Sequence, residues 1–315
     1  MSTTIQQPLT QFKITKREAI LILEKLLGEK PLHIVKLNNG ITNKVFKAYV
    51  KGEKNLVIRI SDVPDKINDY LKEQWCTKNA RELGVPVPRI LEVGNTVLPY
   101  PYMVLEEELG LEGNNYGADK TDIYRQMGEM AAKINSINTT SFGRVFDWSD
   151  NVLSKNPTWV EYLDKELKAN YIYNLFETNN ILNKDNLKKF RSIIDEIYKW
   201  NVSPKLNHSD IRLKNLLIDK QGKITVLLDW ENAIATAAPY WELSTCLIDL
   251  KEADRILMLE GYGMSLKEFK QKEKYIFIFD VFNYRFGVED FVKNNNQDEL
   301  KRFRLLLNNY VGAFN

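Results

Sequence analysis

The 315-residue chain has few of the residues that carry chemistry or covalent stability by themselves: two cysteines, two histidines and fifteen glycines. Two cysteines, Cys76 and Cys246, leave no basis for a disulfide framework. Both fall in segments with helical spacing, where a thiol in a reducing compartment reads as a small buried hydrophobe. His208 has no His or Cys companion, so a zinc site is not expected. No apolar run approaches the ~20 residues needed to cross a bilayer. Met1 to Thr10 is polar and lacks a basic region followed by a hydrophobic one, so no signal peptide is expected and the expected location is cytoplasmic. The net charge of +2, with basic and acidic residues dispersed, gives no reason to expect nucleic acid or membrane as a partner. Repeats and low-complexity linkers are also missing. What is there is ordinary globular composition, 44% hydrophobic and 27% charged, in a chain long enough for two lobes.

Along the chain, residues 14–27 carry apolar residues at helical spacing up to Gly28. Three strand-like segments follow at 33–37, 45–50 and 56–60. The first turn between them, Asn38 to Asn43 with Gly40 and Thr42, can offer backbone N–H groups and a hydroxyl to a phosphate; a plain hairpin turn fits equally well. In the third strand, alternation puts Val57 and Arg59 on one face. An Arg in so apolar a strand needs a carboxylate or phosphate partner. The next helix, roughly 66–83, carries Glu73 and ends at Gly84, before two prolines that launch an extended segment. Another strand, 101–105, runs into Glu106-Glu107-Glu108, where composition changes and a lobe boundary is expected. These acids form either a solvated linker or a face toward a ribose or a cationic substrate. Beyond Asp119 helices are expected at 119–138, 159–175, 181–200, from Pro239, at 266–286 and at 297–310.

Between the third and fourth of these helices lies the most informative stretch, Leu206 to Glu231. Apolar runs at 216–218 and 224–228 flank the turn Asp219-Lys220-Gln221-Gly222 and predict a β-hairpin. Its open ends would bring Asn215 and Asp229 to one ion, with Asp210 on the loop before it. One base and two oxygen ligands for magnesium are what phosphoryl transfer to a hydroxyl requires.

His208-Ser209-Asp210, with Asn215 five positions after Asp210, and Asp229-Trp230-Glu231 resemble the catalytic loop and metal motif of the aminoglycoside phosphotransferase and choline kinase-like family. Glu73 followed by Gly84-Val85-Pro86-Val87-Pro88, the strand 56–59, Glu106 to Gly110 and Ser141-Phe142-Gly143 also fit its pattern, so the resemblance spans about residues 34–249. It implies an α+β, two-lobed, protein kinase-like fold: an N-terminal lobe, residues 1–107, of antiparallel sheet with a helix, and a larger mainly helical lobe, residues 108–315. The chain departs from the family at Asn135 and Arg212, where relatives commonly have His. Ala237-Ala238-Pro239 also stands where Gly-Asp-Pro is usual.

The resemblance implies ATP or GTP as donor, with Mg2+. Asp210 would take or orient the proton of the acceptor hydroxyl, and Asn215 and Asp229 would hold the metal on the phosphates. Arg59, held by Glu73, would grip the phosphates with its planar fork. Gly40 and Thr42 would cover the phosphates, and backbone groups from Glu106 to Glu108 would face the base. His208 is expected to support the loop rather than act as base. The acceptor is expected to be a small, cationic alcohol, an aminoglycoside-type antibiotic first and choline, ethanolamine or another metabolite second, contacted by Glu242, Trp241 and Asp249. A catalytically inactive nucleotide-binding scaffold is the alternative from another class.

Overall fold

The computed structural model describes residues 14–37, 43–52, 54–147, 152–153 and 155–314. The turn with Gly40 and Thr42 lies outside the described residues. Helix α1 (Lys16–Leu27) is opened by a capping box, in which Thr15 and Glu18 each satisfy a backbone donor, and closed by Gly28 in the left-handed conformation. It is followed by β1 (His33–Leu37), β2 (Lys44–Tyr49), β3 (Leu56–Ile60), α2 (Lys66–Glu82), β4 (Ile90–Gly94) and β5 (Tyr102–Glu106). The strands form one antiparallel sheet in the order β1-β2-β3-β5-β4. Strand alternation sorts β3: Leu56, Ile58 and Ile60 join Ala19, Ile22 and Leu23 of α1 in a core, and Val57 and Arg59 take the opposite face.

The chain continues through β6 (Leu111–Glu112), α3 (Thr121–Asn135), a small hairpin of β7 (Phe146–Asp147) and β8 (Val152–Leu153), α4 (Trp159–Tyr162), α5 (Ala169–Thr178) and α6 (Lys184–Tyr198). Then come β9 (Lys205–Asn207), β10 (Leu216–Ile218), β11 (Ile224–Leu227), β12 (Ile234–Thr236), α7 (Tyr240–Cys246), α8 (Glu252–Tyr262), α9 (Leu266–Lys293) and α10 (Gln297–Gly312). β10 pairs with β11 as the expected hairpin and with β6 on its other edge, and β9 pairs with β12.

These residues fall into two compact units, one running to Gln74 and including Pro88–Glu108, the other comprising Trp75–Val87 and the chain from Leu109. A single cut near residue 107 therefore misses a crossing. The second half of α2 and the segment after it belong with the helical unit because Cys76, Ala80, Val85 and Val87 share a core with Met127, Leu216 and Leu227. The Leu227 N–H also donates to the Pro86 carbonyl at 2.8 Å. Both cysteines are buried.

Two helical expectations change. The segment 159–175 is not one helix: after α4 it widens into a π-helical turn at Leu163–Leu167, and Lys168 turns left-handed at φ 55° before α5. Helix α8 lies outside the expected helices. It packs against α3 at very close range: a Cβ on Gly128 would lie 2.1 Å from the Met258 carbonyl oxygen, and one on Gly261 2.0 Å from that of Arg125. Only glycine on both helices permits that approach.

Candidate active site

The loop from Asn207 to Asn215 leaves β9 and enters β10 by a single turn of 3-10 helix, Leu213–Asn215. Its shape comes from a buried polar network below it. Glu242, fully buried at the start of α7, accepts the His208 N–H at 2.6 Å and the Ser209 N–H at 3.1 Å. Ser209 is left-handed at φ 70°, an unfavourable conformation for a residue with a Cβ. It is held there by the Glu242 bond and by the Trp241 indole, whose Nε1–H donates to Ser209 Oγ at 2.9 Å. Asn207 Oδ1 accepts the Glu242 N–H at 3.1 Å. Asn135 of α3 donates to the Leu206 carbonyl at 3.0 Å and accepts from the Tyr262 hydroxyl of α8 at 2.9 Å.

His208 is completely buried between this network and the hairpin. Its Nδ1 accepts the Asp210 N–H at 3.2 Å and its Nε2 faces the Leu228 carbonyl at 3.1 Å, which assigns the neutral ring with the proton on Nε2. Burial pushes its pKa down to about 4. The ring also meets Trp230 edge-on, with centroids 4.5 Å apart. A neutral imidazole with both nitrogens engaged ties loop to hairpin; it is not poised to take a proton.

Asp210 is 3% exposed. Asn215 Nδ2 donates to its Oδ2 and to its carbonyl, both at 2.9 Å, and Lys214 Nζ lies 3.0 Å from Oδ2. Oδ1 lies 2.5 Å from Arg212 Nε in an ion pair and has no aligned hydrogen-bond donor among the described residues. Burial raises the pKa of this carboxyl, but the Lys214 bond, the Arg212 charge and the Asn215 bond together outweigh it and hold the group below the usual carboxylate range. It is therefore ionised at neutral pH. Arg212 and Lys214 are each nearly half exposed, so both can turn away when another group approaches Oδ1.

Asn215 and Asp229 are brought to the mouth of the hairpin by the ladder. The Leu228 N–H donates to the Asn215 carbonyl at 2.8 Å. Asp229, the next residue, is left-handed at φ 67° and turns the chain into a 3-10 turn at Trp230–Asn232. Because the Asn215 amide nitrogen is committed to Asp210, its oxygen is the atom left for a ligand. An amide oxygen and a carboxylate are hard donors of the kind Mg2+ takes, and Mg2+ completes its shell with water and phosphate oxygens. Among the described residues no group of three or more His, Cys, Asp or Glu could hold a metal by itself. The donor set thus fits an ion shared with phosphates and not an all-protein cage.

In the first unit, Arg59 Nη1 meets the buried Glu73 Oε2 at 2.8 Å, and the guanidinium lies 5.4 Å from the centre of the Tyr70 ring. The acid run is engaged in the same unit: Glu106 pairs with Lys54 at 3.0 Å and Arg89 at 3.0 Å, Glu107 with Lys47 at 2.6 Å, and Glu108 with Lys54 at 3.3 Å. The Glu106 and Glu107 N–H groups bond the Arg89 and Asn55 carbonyls, while the Glu108 N–H has no hydrogen-bond acceptor among the described residues.

The three expected acceptor contacts separate. Glu242 and Trp241 are 0% and 1% exposed. Their polar groups bind the loop, so the expectation that they touch an acceptor directly is corrected: they position Ser209 and His208. Burial also pushes the Glu242 carboxyl up to about 7 despite its two backbone donors. Asp249 is exposed and accepts from Arg212 Nη1 at 3.2 Å, so Arg212 bridges it to Asp210. Asn135, Asn207 and Tyr262 were not foreseen as parts of this support. A buried Asn in a helix carries no local signal, and Tyr262 sits on the unanticipated helix.

The fold is similar to aminoglycoside phosphotransferases. The apo form of a thermostable APH(4)-Ia variant aligns with a TM-score of 0.64 at 15% identity, covering 94% of this chain and 99% of the other. A ternary complex of an APH(4)-Ia variant with AMP-PNP and hygromycin B gives 0.61 at 14%, covering 95% and 99%. APH(2")-IIia with GDP and kanamycin gives 0.61 at 16%, covering 95% and 100%. No curated protein sequence matches the chain. The model of the phosphotransferase enzyme family matches residues 33–271, about three quarters of the length, and the chain belongs to that family. That family is one of phosphotransferase enzymes.

Proposed function

We propose that the chain transfers the γ-phosphate of ATP or GTP to a hydroxyl of a small cationic molecule, with Asp210 as the group that takes or orients the hydroxyl proton. The observation that carries this reading is the buried, ionised Asp210 with one oxygen held by Asn215 and Lys214 and the other paired only with the half-exposed Arg212, which an acceptor can displace. An acceptor hydroxyl donating to Oδ1 would satisfy that atom, and the fixed Oδ2 keeps the carboxylate from rotating away. Asn215 and Asp229 would hold Mg2+, which when bound would neutralise charge on the donor phosphates. Arg59, kept straight by Glu73, binds phosphate oxygens through its fork. Glu108 offers its amide N–H to the base.

The acceptor reading is an aminoglycoside-type antibiotic, supported by the family and by the acids near the loop; a role in antibiotic resistance and a cytoplasmic location follow from it. Choline or ethanolamine is supported less. A cage for a quaternary ammonium needs open ring faces, and Trp241, Phe279 and Phe282 are buried in the core.

Asp210→Ala is expected to abolish nucleotide-dependent phosphorylation, with nucleotide binding and melting temperature close to wild type. A coupled diphosphate-release assay across aminoglycosides, choline, ethanolamine and sugars, run with both nucleotides, provides the acceptor. Wild-type turnover by Asp210→Ala on that acceptor would refute the assignment. Intact nucleotide binding with no acceptor-dependent release would favour an inactive scaffold.

A further inference from the structure

A cavity of about 520 Å³ opens among α7, α8, α9 and α10 of the helical unit. Its size is that of a small-molecule site. The walls are mainly apolar: Leu243, Leu247, Ile276, Phe277, Phe303 and Leu307. Such a space is unusual beside so tightly packed a core, and it is larger than an imperfection of helix packing would leave.

Its charged lining residues are mostly satisfied. Glu273 pairs with Lys270 at 2.9 Å and Glu299 with Arg302 at 3.1 Å, while Arg255 donates to the Leu247 carbonyl at 2.9 Å. Asp280 is the exception: it lines the cavity and has no hydrogen bond or ion pair among the described residues. Burial, and secondarily the charge of Asp249, push its carboxyl up to about 7. A carboxylate left in apolar surroundings is costly unless a cation meets it. The cavity is linked to the reaction site through Asp249, which does not itself line it. Ile248 lines the cavity, and Asp249, the next residue, shares Arg212 with Asp210.

We propose that this cavity holds the apolar body of the phosphoryl acceptor, whose protonated amine sits on Asp280 while its hydroxyl reaches Asp210. The acceptor class is then an amphiphilic amino alcohol, which takes the place of the polar aminoglycoside named above while keeping the phosphotransferase reading. This rests on the phosphotransferase reading above. An apolar tail removed from water supplies affinity, and an amine on Asp280 supplies orientation.

The test uses the full chain and four probes: 2-(octylamino)ethanol, the tail-less 2-(methylamino)ethanol, the uncharged 2-(octyloxy)ethanol, and kanamycin. Calorimetric binding and diphosphate release are measured for each. The octylamino probe is expected to bind at least about ten-fold more tightly than either of its two controls and to stimulate release more than kanamycin. Leu306→Trp, at a 66% exposed position on the cavity rim, narrows the mouth without disturbing the core and should erase the tail's advantage. Asp280→Asn should erase the amine's advantage while keeping the tail's. Equal binding with and without the tail, advantages that survive both substitutions, or a bound octylamino probe that stimulates no release each overturns the proposal. Failure of the kinase reading has a different signature: nucleotide turnover indifferent to Asp210→Ala, whichever probes bind.

Discussion

Glu242 is one of the groups through which pH should act on this fold. It is fully buried, accepts two loop N–H groups, and titrates near 7 in place of its usual 4.5. The folded chain therefore holds this proton more tightly than the unfolded chain does. Where the folded state binds more protons, raising the pH favours unfolding. The contribution is thus full below pH 4.5 and is lost as pH rises through about 7, a loss of roughly 3 kcal/mol. Glu242→Gln keeps the shape and removes the titration. It leaves one of the two loop donors facing an amide NH2, at a cost of about 1–3 kcal/mol that does not change with pH. His208 titrates in the opposite sense, since its pKa is lowered from 6.5 to about 4 and its contribution is lost as pH falls through that window. It is present in both proteins, so comparing them cancels it. Urea unfolding at pH 5, 6, 7 and 8, followed by circular dichroism, should show the wild type losing roughly 3 kcal/mol relative to Glu242→Gln across the series. A difference that stays constant, or that grows in favour of the wild type as pH rises, would refute the reasoning.

Trp241→Phe keeps the packing against Phe279 but removes the donor to Ser209. Turnover is expected to fall about ten-fold with the nucleotide KM and melting temperature little changed, which steady-state kinetics and calorimetry would check. Glu73→Gln withdraws the charged partner of Arg59. A charge-assisted hydrogen bond of about 1.5–3 kcal/mol is at stake, so titration should show nucleotide affinity weakened at least about ten-fold. Gly128→Ala puts a methyl into the Met258 carbonyl, and α3 and α8 must part, lowering stability by about 3 kcal/mol or more as read from the urea midpoint. An unchanged midpoint would mean that the two helices do not pack at this distance.

Much of the chain was legible before any coordinates. The hairpin at 216–227 follows from two apolar runs around a Gly-containing turn, and the fold class from the motifs on either side of it. The pairing of Arg59 with Glu73 was also readable, because a charge in an apolar strand needs a nearby opposite charge and the next helix carries one. These are local signals: alternation, turn chemistry, and the cost of burying a charge.

Other features depend on residues distant in sequence. Helix α8 has a weak pattern of its own and is defined by its contact with α3, where two glycines 133 positions apart face each other's backbone. Glu242 and Trp241 read as acceptor contacts, because an acid can pair with a cationic acceptor and an aromatic ring can face one. Only their placement under Ser209 and His208 turns them into supports of the loop. Sequence alone thus singled out Asp210, Asn215 and Asp229 as the candidates for the proposed chemistry, since reactive groups are recognisable by type and spacing. Tertiary structure decided what holds that loop in place and where the apolar cavity opens, because burial and packing are properties of segments that meet only after folding.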